Sequence, residues 1–221
     1  MKAELLKHKI LIVHNYYQIP GGEDTVVANE KKMLELNGHE VVLYSRNNSE
    51  LKRMGKFRKL LLPFTTVFSI KTYKEVKKVI RQQNIELVHV HNTLNLISPS
   101  VYYAAFSCKV PVIQTIHNFR LLCPSATFYR DGVICEECVC KGLKSAIKYS
   151  CYRGSKIQTL ACVITLKIHR LLGTYRRLNF ICLTEFNKRK LLELNKGKKQ
   201  IIDPDKVFVK PNFVNIDRRK I

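Results

Sequence analysis

The apolar run Ile10-Leu11-Ile12-Val13 is continuous and mostly β-branched rather than alternating, the pattern of a strand buried on both faces. Such a strand belongs in a sheet covered by helices above and below. The residues after it narrow the choice. Pro20-Gly21-Gly22 forms a turn, Glu23-Asp24-Thr25 comes next, and a helical pattern then runs from about Glu23 to Asn37. A strand, a glycine turn and a helix start together make a place where backbone N–H groups can face a phosphate. Glycine suits that place because a Cβ would hold a ligand off the backbone. The turn is not G-x-G-x-x-G and lacks the Lys-Ser/Thr of a P-loop. The competing reading is an ordinary βα turn whose glycines only permit positive φ.

The pattern repeats along the chain. Glu40 to Ser45, Leu87 to His91, Val112 to Ile116 and Asn179 to Leu183 read as strands, and Val207 to Phe213 as one more strand and an extended exit. Tyr73 to Gln83 is a helical pattern, Ser98-Pro99 reads as an N-cap and N1 proline opening a helix through Phe106, and Thr184 caps a helix from Glu185. Leu51 to Ser69 is basic and apolar, and Pro63 is expected to divide it into short helices. Strands alternating with helices predict an α/β fold, a Rossmann-like parallel sheet with helices on both faces. Ligands in such folds bind beyond the carboxyl ends of the strands. Attention therefore falls on His14-Asn15 with Gly21-Gly22, Ser45-Arg46, His91-Asn92, His117-Asn118 and Thr184-Glu185. Three His-Asn pairs at equivalent strand ends meet on one rim.

A cysteine-rich insertion interrupts the alternation. Phe128 to Ile134 reads as a hairpin with an Asp131-Gly132 turn, set among cysteines. Cys123-x11-Cys135-x2-Cys138-x12-Cys151 has the count and spacing of a four-thiolate zinc site, with Cys140 a near alternative to Cys138. Reduced free thiols and a redox pair remain open beside zinc. After it comes a long helix, about Ser155 to Arg177. Ile157, Leu160, Ala161, Ile164, Ile168, Leu171 and Leu172 share one stripe, expected to be its core face, with Lys156, Lys167, Arg170, Arg176 and Arg177 around it. The alternative use of that helix is attachment to an anionic membrane surface.

Charge points to the class of partner. Lys and Arg number 39 against 17 Asp and Glu, a net +22, and residues 139–200 hold 15 bases against only Glu185 and Glu193. Such a field favours an anionic partner, or is simply a solvated basic surface. Nucleic acid is not expected: aromatics are not interleaved with the basic runs as a stacking platform requires. A nicotinamide enzyme would need G-x-G-x-x-G. Met1 to Lys9 is charged rather than signal-like, and no 18-residue apolar stretch exists. The expected location is cytoplasmic, peripheral on the inner face of the membrane at most.

Taken in order, Pro20-Gly21-Gly22-Glu23, Val88-His89-Val90-His91-Asn92, Thr115-Ile116-His117-Asn118-Phe119-Arg120, Leu121-Leu122-Cys123-Pro124, Cys135-x-x-Cys138, Leu183-Thr184-Glu185-Phe186 and Lys210-Pro211-Asn212 resemble the N-terminal domain of a family-4 retaining glycosyltransferase of the GT-B fold. The resemblance runs from Lys9 to about Asp217 and is nearest to bacterial enzymes that build surface polysaccharides. It implies a nucleotide-sugar donor whose diphosphate is touched by Gly21 and Gly22, and His117 beside the reacting sugar. It implies a glycan or lipid-linked acceptor near Asn15, His91, Asn92, Asn118 and Arg120. Residues 1–210 would be the acceptor-side domain and 211–221 the crossing towards a donor domain. The family's paired acids that grip the donor sugar have no counterpart after Asn212. The expectation is therefore a truncated enzyme, inactive as this chain alone unless a separate polypeptide supplies the second domain. The alternative function is a non-catalytic, zinc-stabilised module for an anionic ligand. Glu23 and Asp24 would set negative charge close to the phosphate unless they are turned elsewhere.

Overall fold

The computed structural model describes residues 6–197 and 199–213. The end of the interdomain crossing expected over 211–221, and of the resemblance near Asp217, lies outside the described residues. Among the described residues the chain forms eight strands and nine α-helices. In order, they begin with β1 (Lys9–Tyr16), α1 (Gly22–Leu36), β2 (Glu40–Asn47), α2 (Glu50–Arg53), α3 (Lys56–Val67), α4 (Ile70–Gln82), β3 (Leu87–Asn92), α5 (Ser100–Ser107) and β4 (Val112–Ile116). The insertion contributes β5 (Tyr129–Arg130), β6 (Val133–Ile134), α6 (Glu137–Cys140) and α7 (Lys144–Lys148); α8 (Lys156–Leu171), β7 (Asn179–Cys182), α9 (Glu185–Leu192) and β8 (Val207–Val209) complete the chain.

Six strands form one sheet in the order β2-β1-β3-β4-β7-β8, every pair parallel. Each parallel step needs a crossover, and the helices that supply it cover both faces. On one face Leu11, Val13, Val88 and Val90 pack with Val76 and Ile80 of α4 and Val101, Ala104 and Ala105 of α5. On the other, Ile10 and Ile12 pack with Val27 of α1, flanked by Leu34, Val41 and Leu87. This is the double burial that the β-branched run of β1 required. β5 and β6 pair antiparallel across Asp131 (φ 52°) and Gly132 (φ 84°), both left-handed as a tight hairpin turn demands.

Three local expectations need correction. Pro63 lies inside α3 rather than dividing it; the helix runs on for a full 12 residues around a missing N–H. Helix α5 begins one residue late, with Pro99 at the N-cap, while Ser98 still accepts the Ser100 N–H at 3.2 Å. The long helix ends at Leu171, and a separate 3-10 turn covers Tyr175–Arg177. Most of its expected core stripe points outward; only Ala161 is buried and Ile168 half-buried. Ile157 is 69% exposed and Leu171 70%, with Leu160, Ile164 and Leu172 exposed too, whereas Thr159, Ala161, Cys162, Val163, Thr165, Leu166 and His169 are buried. Mostly small side chains, with Leu166 and His169, face inward, and five large apolar ones are left outside.

Candidate functional site

The carboxyl ends of β1, β3 and β4 form the rim on which the candidates were expected. Because the strands are parallel, the turn after β1 and His117 after β4 share one end of the sheet. Successive strand residues face opposite ways, so the first two His-Asn pairs are divided across the sheet. His14 and His91 turn under α1. Asn15 and Asn92 turn into the loops: Asn15 donates to Asn48 Oδ1 (3.0 Å) and to the Leu94 carbonyl, and Asn92 donates to the Asn15 carbonyl (3.0 Å). Both asparagines are buried and hold the rim loops together. The register between β1 and β3 shifts between Val13 and His14, at the site itself.

Beneath α1 the histidines form a network. His14 Nε2 meets Asp24 Oδ1 at 2.7 Å, and Asp24 Oδ2 accepts the Gly21 N–H at 3.0 Å. The His14 and His91 rings stand edge to face at 6.2 Å, and His91 Nδ1 meets His117 Nε2 at 2.9 Å. A row of side chains thus joins the glycine turn to His117. Burial holds His14, His89 and His91 below the usual imidazole range, and burial with the neighbouring His14 lowers His117 to about 4. The four rings are neutral at pH 7, which makes them hydrogen-bonding and ligating groups rather than cations.

The two acids after the glycines do not crowd a phosphate. Asp24 spends both oxygens on Gly21 and His14. Glu23 accepts from the Tyr17 hydroxyl at 3.0 Å, and burial raises its carboxyl to about 7. The glycines themselves are unconstrained. Gly21, the N-cap, has extended backbone (φ −124°), Gly22 is not among the positive-φ residues, and a Cβ at either would meet nothing within 4 Å. Neither positive φ nor close packing within the fold explains them. No side chain caps α1 at Gly21; the Asp24 N–H returns to the Gly21 carbonyl at 3.1 Å and the Gly21 N–H goes to Asp24, which leaves the Gly22 and Glu23 N–H groups available.

His91, Asn92, His117, Asn118 and Arg120 line one recess, walled by Thr66 of α3 and Thr165 of α8. Asn118 accepts the Arg120 N–H at 3.0 Å, and Arg120 lies over the Tyr152 ring at 4.9 Å. Gly21 and Gly22 sit at the edge of the rim and do not line this recess. A larger groove of about 300 Å³ opens beside it between α3 and α8, with Lys59 and Arg153 on its wall.

The cysteines gather below the hairpin. Cys138 and Cys151 pack with Leu143, Ala146, Val163 and Leu166. Cys123 Sγ meets Ser125 Oγ at 3.0 Å, and its interaction with the neighbouring Cys138 thiol holds Cys123 below the usual thiol range and pushes Cys138 up. Among the described residues, however, the group of three or more metal-ligating side chains whose ligand atoms all lie within 4.8 Å is another one: Glu30, His89 and His91. Glu30 and His89 were missed as site residues. A glutamate on the inner face of α1, and His89 two residues from His91 on one strand face, were the available signals.

The sequence model of Glycosyltransferase Family 4 matches residues 20–218. The chain is 28% identical over 120 residues to an "Uncharacterized 42.6 kDa protein in cps region" of Klebsiella pneumoniae, covering 51% of this chain and 32% of that one. It is 22% identical over 164 residues to the "Alpha-monoglucosyldiacylglycerol synthase" of Streptococcus pneumoniae (strain ATCC BAA-255 / R6), covering 62% and 37%. The chain thus spans about a third of the length of these curated relatives. Among solved structures, the S. aureus MnaA–UDP complex overlaps 94% of this chain and 44% of its own at 14% identity, with a TM-score of 0.49 too low to carry an argument.

Proposed function

We propose, from the premise that this chain belongs to Glycosyltransferase Family 4 as its N-terminal domain, that it is the acceptor-side half of a transferase moving a sugar from a nucleoside diphosphate to a lipid-linked acceptor. The observation that carries this reading is the row of side chains from Gly21 through Asp24 and His14, then edge to face on His91, to His117. One end of it is a helix N-terminus open to a diphosphate, where N–H groups and the helix dipole stabilise charge that grows as the diphosphate leaves. The other end is a neutral imidazole at a recess. Its role is to accept a hydroxyl hydrogen bond and orient the sugar, since a group with a pKa of about 4 is a poor proton donor at pH 7. Asn118 and Arg120 are the acceptor contacts in this reading; Asn15, His91 and Asn92 fix the geometry behind them.

The lipid-linked acceptor is supported by the surface beside the recess. Phe57, Leu60 and Phe64 of α3 are each 72% exposed, and the exposed stripe of α8 lies alongside, since the two helices pack together. Lys52, Arg53, Lys56, Arg58, Lys59 and Lys156 flank the patch, and neither residues 51–69 nor 154–177 include an acid. No described helix is long and apolar enough to cross a membrane. An apolar strip rimmed with bases fits the boundary of an anionic bilayer. The Streptococcus relative is named for a glucolipid, which agrees with such an acceptor. Structural zinc on Cys123, Cys135, Cys138 and Cys151 remains part of the proposal. Titration with nucleoside diphosphates and inorganic pyrophosphate tests the donor end. Saturable binding of the diphosphates, displaced by pyrophosphate, is expected, and no binding of either overturns the assignment of the turn.

A further inference from the structure

We propose that Glu30, His89 and His91 form a binding site for a divalent transition metal of the zinc type, enclosed between α1 and β3. His91 Nε2 lies 3.5 Å from Glu30 Oε2, and His89 Nδ1 lies 3.9 Å from Glu30 Oε1. Ligands about 2.1 Å from a tetrahedral zinc stand about 3.4 Å from one another. All three ligand atoms lie within 4.8 Å of one another, so closing on a metal would require shifts of about 1 Å or less. All three residues are buried, and His91 Nε2 has no hydrogen-bond partner. A buried polar nitrogen without a partner is an exception that asks for a reason, and here it faces a carboxylate and stands beside a second imidazole.

The surroundings fit the same chemistry. Metal-binding histidines commonly use their other ring nitrogen for an orienting hydrogen bond, and ligating carboxylates are themselves hydrogen-bonded. Each candidate ligand has such a partner: Thr115 Oγ1 at 2.8 Å for His89 Nε2, His117 Nε2 at 2.9 Å for His91 Nδ1, and Lys210 Nζ at 2.9 Å for Glu30 Oε1. Burial keeps both imidazoles neutral, the form that ligates. Two imidazoles and one carboxylate suit zinc, cobalt or iron rather than magnesium or calcium, which take all-oxygen sets. Lys210 is the competing cation. It touches only Oε1, so a metal on Oε2 and Lys210 on Oε1 can share the carboxylate. A metal there would fasten α1, and with it the glycine turn, to β3, and would fix His91 behind His117.

The test uses the full chain, stripped of metal and titrated with Co²⁺. Beside any cobalt taken by the cysteines, which a near-ultraviolet sulfur charge-transfer band reports, one further equivalent is expected to give visible d–d absorption without adding to that band, and to be displaced by Zn²⁺. Glu30→Gln and His91→Asn should each weaken binding at least tenfold while circular dichroism reports the same fold. X-ray absorption at the zinc edge of the unsubstituted protein guards against variants that fail to fold, and imidazole scattering is the expected result. A zinc shell of sulfur alone would assign the metal to the cysteines and overturn the proposal. So would unchanged affinity in folded Glu30→Gln, or no bound metal at all, either of which leaves Lys210 as the cation of the site.

Discussion

Two helical surfaces flank the same rim, and each inverts the usual distribution of polarity. Beneath α1 the chain buries Asp24 and Glu30 against His14, His89 and His91. Across the recess, α3 and α8 hold phenylalanine, leucine and isoleucine out to solvent. Burial by hydrophobicity would have turned both helices round. A buried polar group is tolerated when it is hydrogen-bonded; each of these residues has at least one hydrogen-bond partner, while the atoms His14 Nδ1, Glu23 Oε1 and His91 Nε2 have none. An exposed apolar stripe at regular helical spacing, Phe57, Leu60, Leu61 and Phe64, marks a surface with a partner. One region is thus constrained from within and the other from outside, and substitutions should separate the two.

The largest effect is expected on the outer surface. Replacing Phe57, Leu60 and Phe64 together by serine should leave stability nearly unchanged, since each exposed site contributes within about 0.5 kcal/mol. Sedimentation with anionic vesicles should fall by about 4 kcal/mol of partition free energy, roughly a thousandfold. Binding by the parent should weaken with added salt. Equal binding to neutral vesicles would remove the basic rim from the reading, and binding to neither would break the comparison by making the patch inert.

The inner surface should respond in the opposite sense, through folding. Asp24→Ala removes an acceptor from both His14 and the Gly21 N–H, leaving buried groups unpaired at a cost of about 2–4 kcal/mol in urea unfolding. Asp24→Asn keeps one acceptor oxygen and should cost less. A loss below about 1 kcal/mol in the alanine variant would mean that water replaces the carboxylate, and that the network is not what holds α1 down.

Next in size is a pH effect. In the unfolded chain Glu23 ionises near 4.5, and burial raises it to about 7 in the fold. The fold therefore holds this proton more tightly than the unfolded chain does. Glu23 takes nothing from stability below about pH 4.5, and stability is lost as pH rises through 7. At 1.36 kcal/mol per unit the full loss is at most about 3 kcal/mol. Glu23→Gln should match the parent at pH 4.5 and exceed it by about 1–3 kcal/mol at pH 8. A constant difference across that range would show that Glu23 is ionised in the fold throughout.

How much of this was legible in the sequence differs between the two surfaces. The continuous run of β1, the glycine turn and the three His-Asn pairs announced a parallel sheet and its rim, because strand period and turn chemistry are local. Alternation alone could have told that the paired histidines and asparagines part company, though not that His14 lies inside β1. The Glu30–Lys210 contact joins residues 180 positions apart and leaves no local trace. The stripe of α8 misled for a different reason. Periodicity shows that a helix has two faces, and only packing shows that Cys162, Val163 and Leu166, beside the expected Ala161, are on the inner one. Pro63 misled because a proline forbids one hydrogen bond, while the rest of α3 is held by its neighbours.

The smallest effect separates fold from ligand most cleanly. Gly22 is the first residue of α1, without positive φ and with open space where a Cβ would stand. Alanine has the higher helix propensity and narrows the unfolded ensemble, so Gly22→Ala should be neutral or stabilising by up to about 0.5 kcal/mol. If the glycine serves only the chain, nothing else should change. If it serves an approaching diphosphate, the methyl group keeps the phosphate off the N–H groups, and affinity should fall roughly tenfold, about 1.4 kcal/mol. Calorimetric titration with a nucleoside diphosphate beside a thermal melt reads both quantities on one sample. Unchanged affinity with unchanged stability would remove the turn from the donor site. Lost affinity with unchanged stability would set this glycine with the outer surface of α3, among residues kept for a partner and not for the fold.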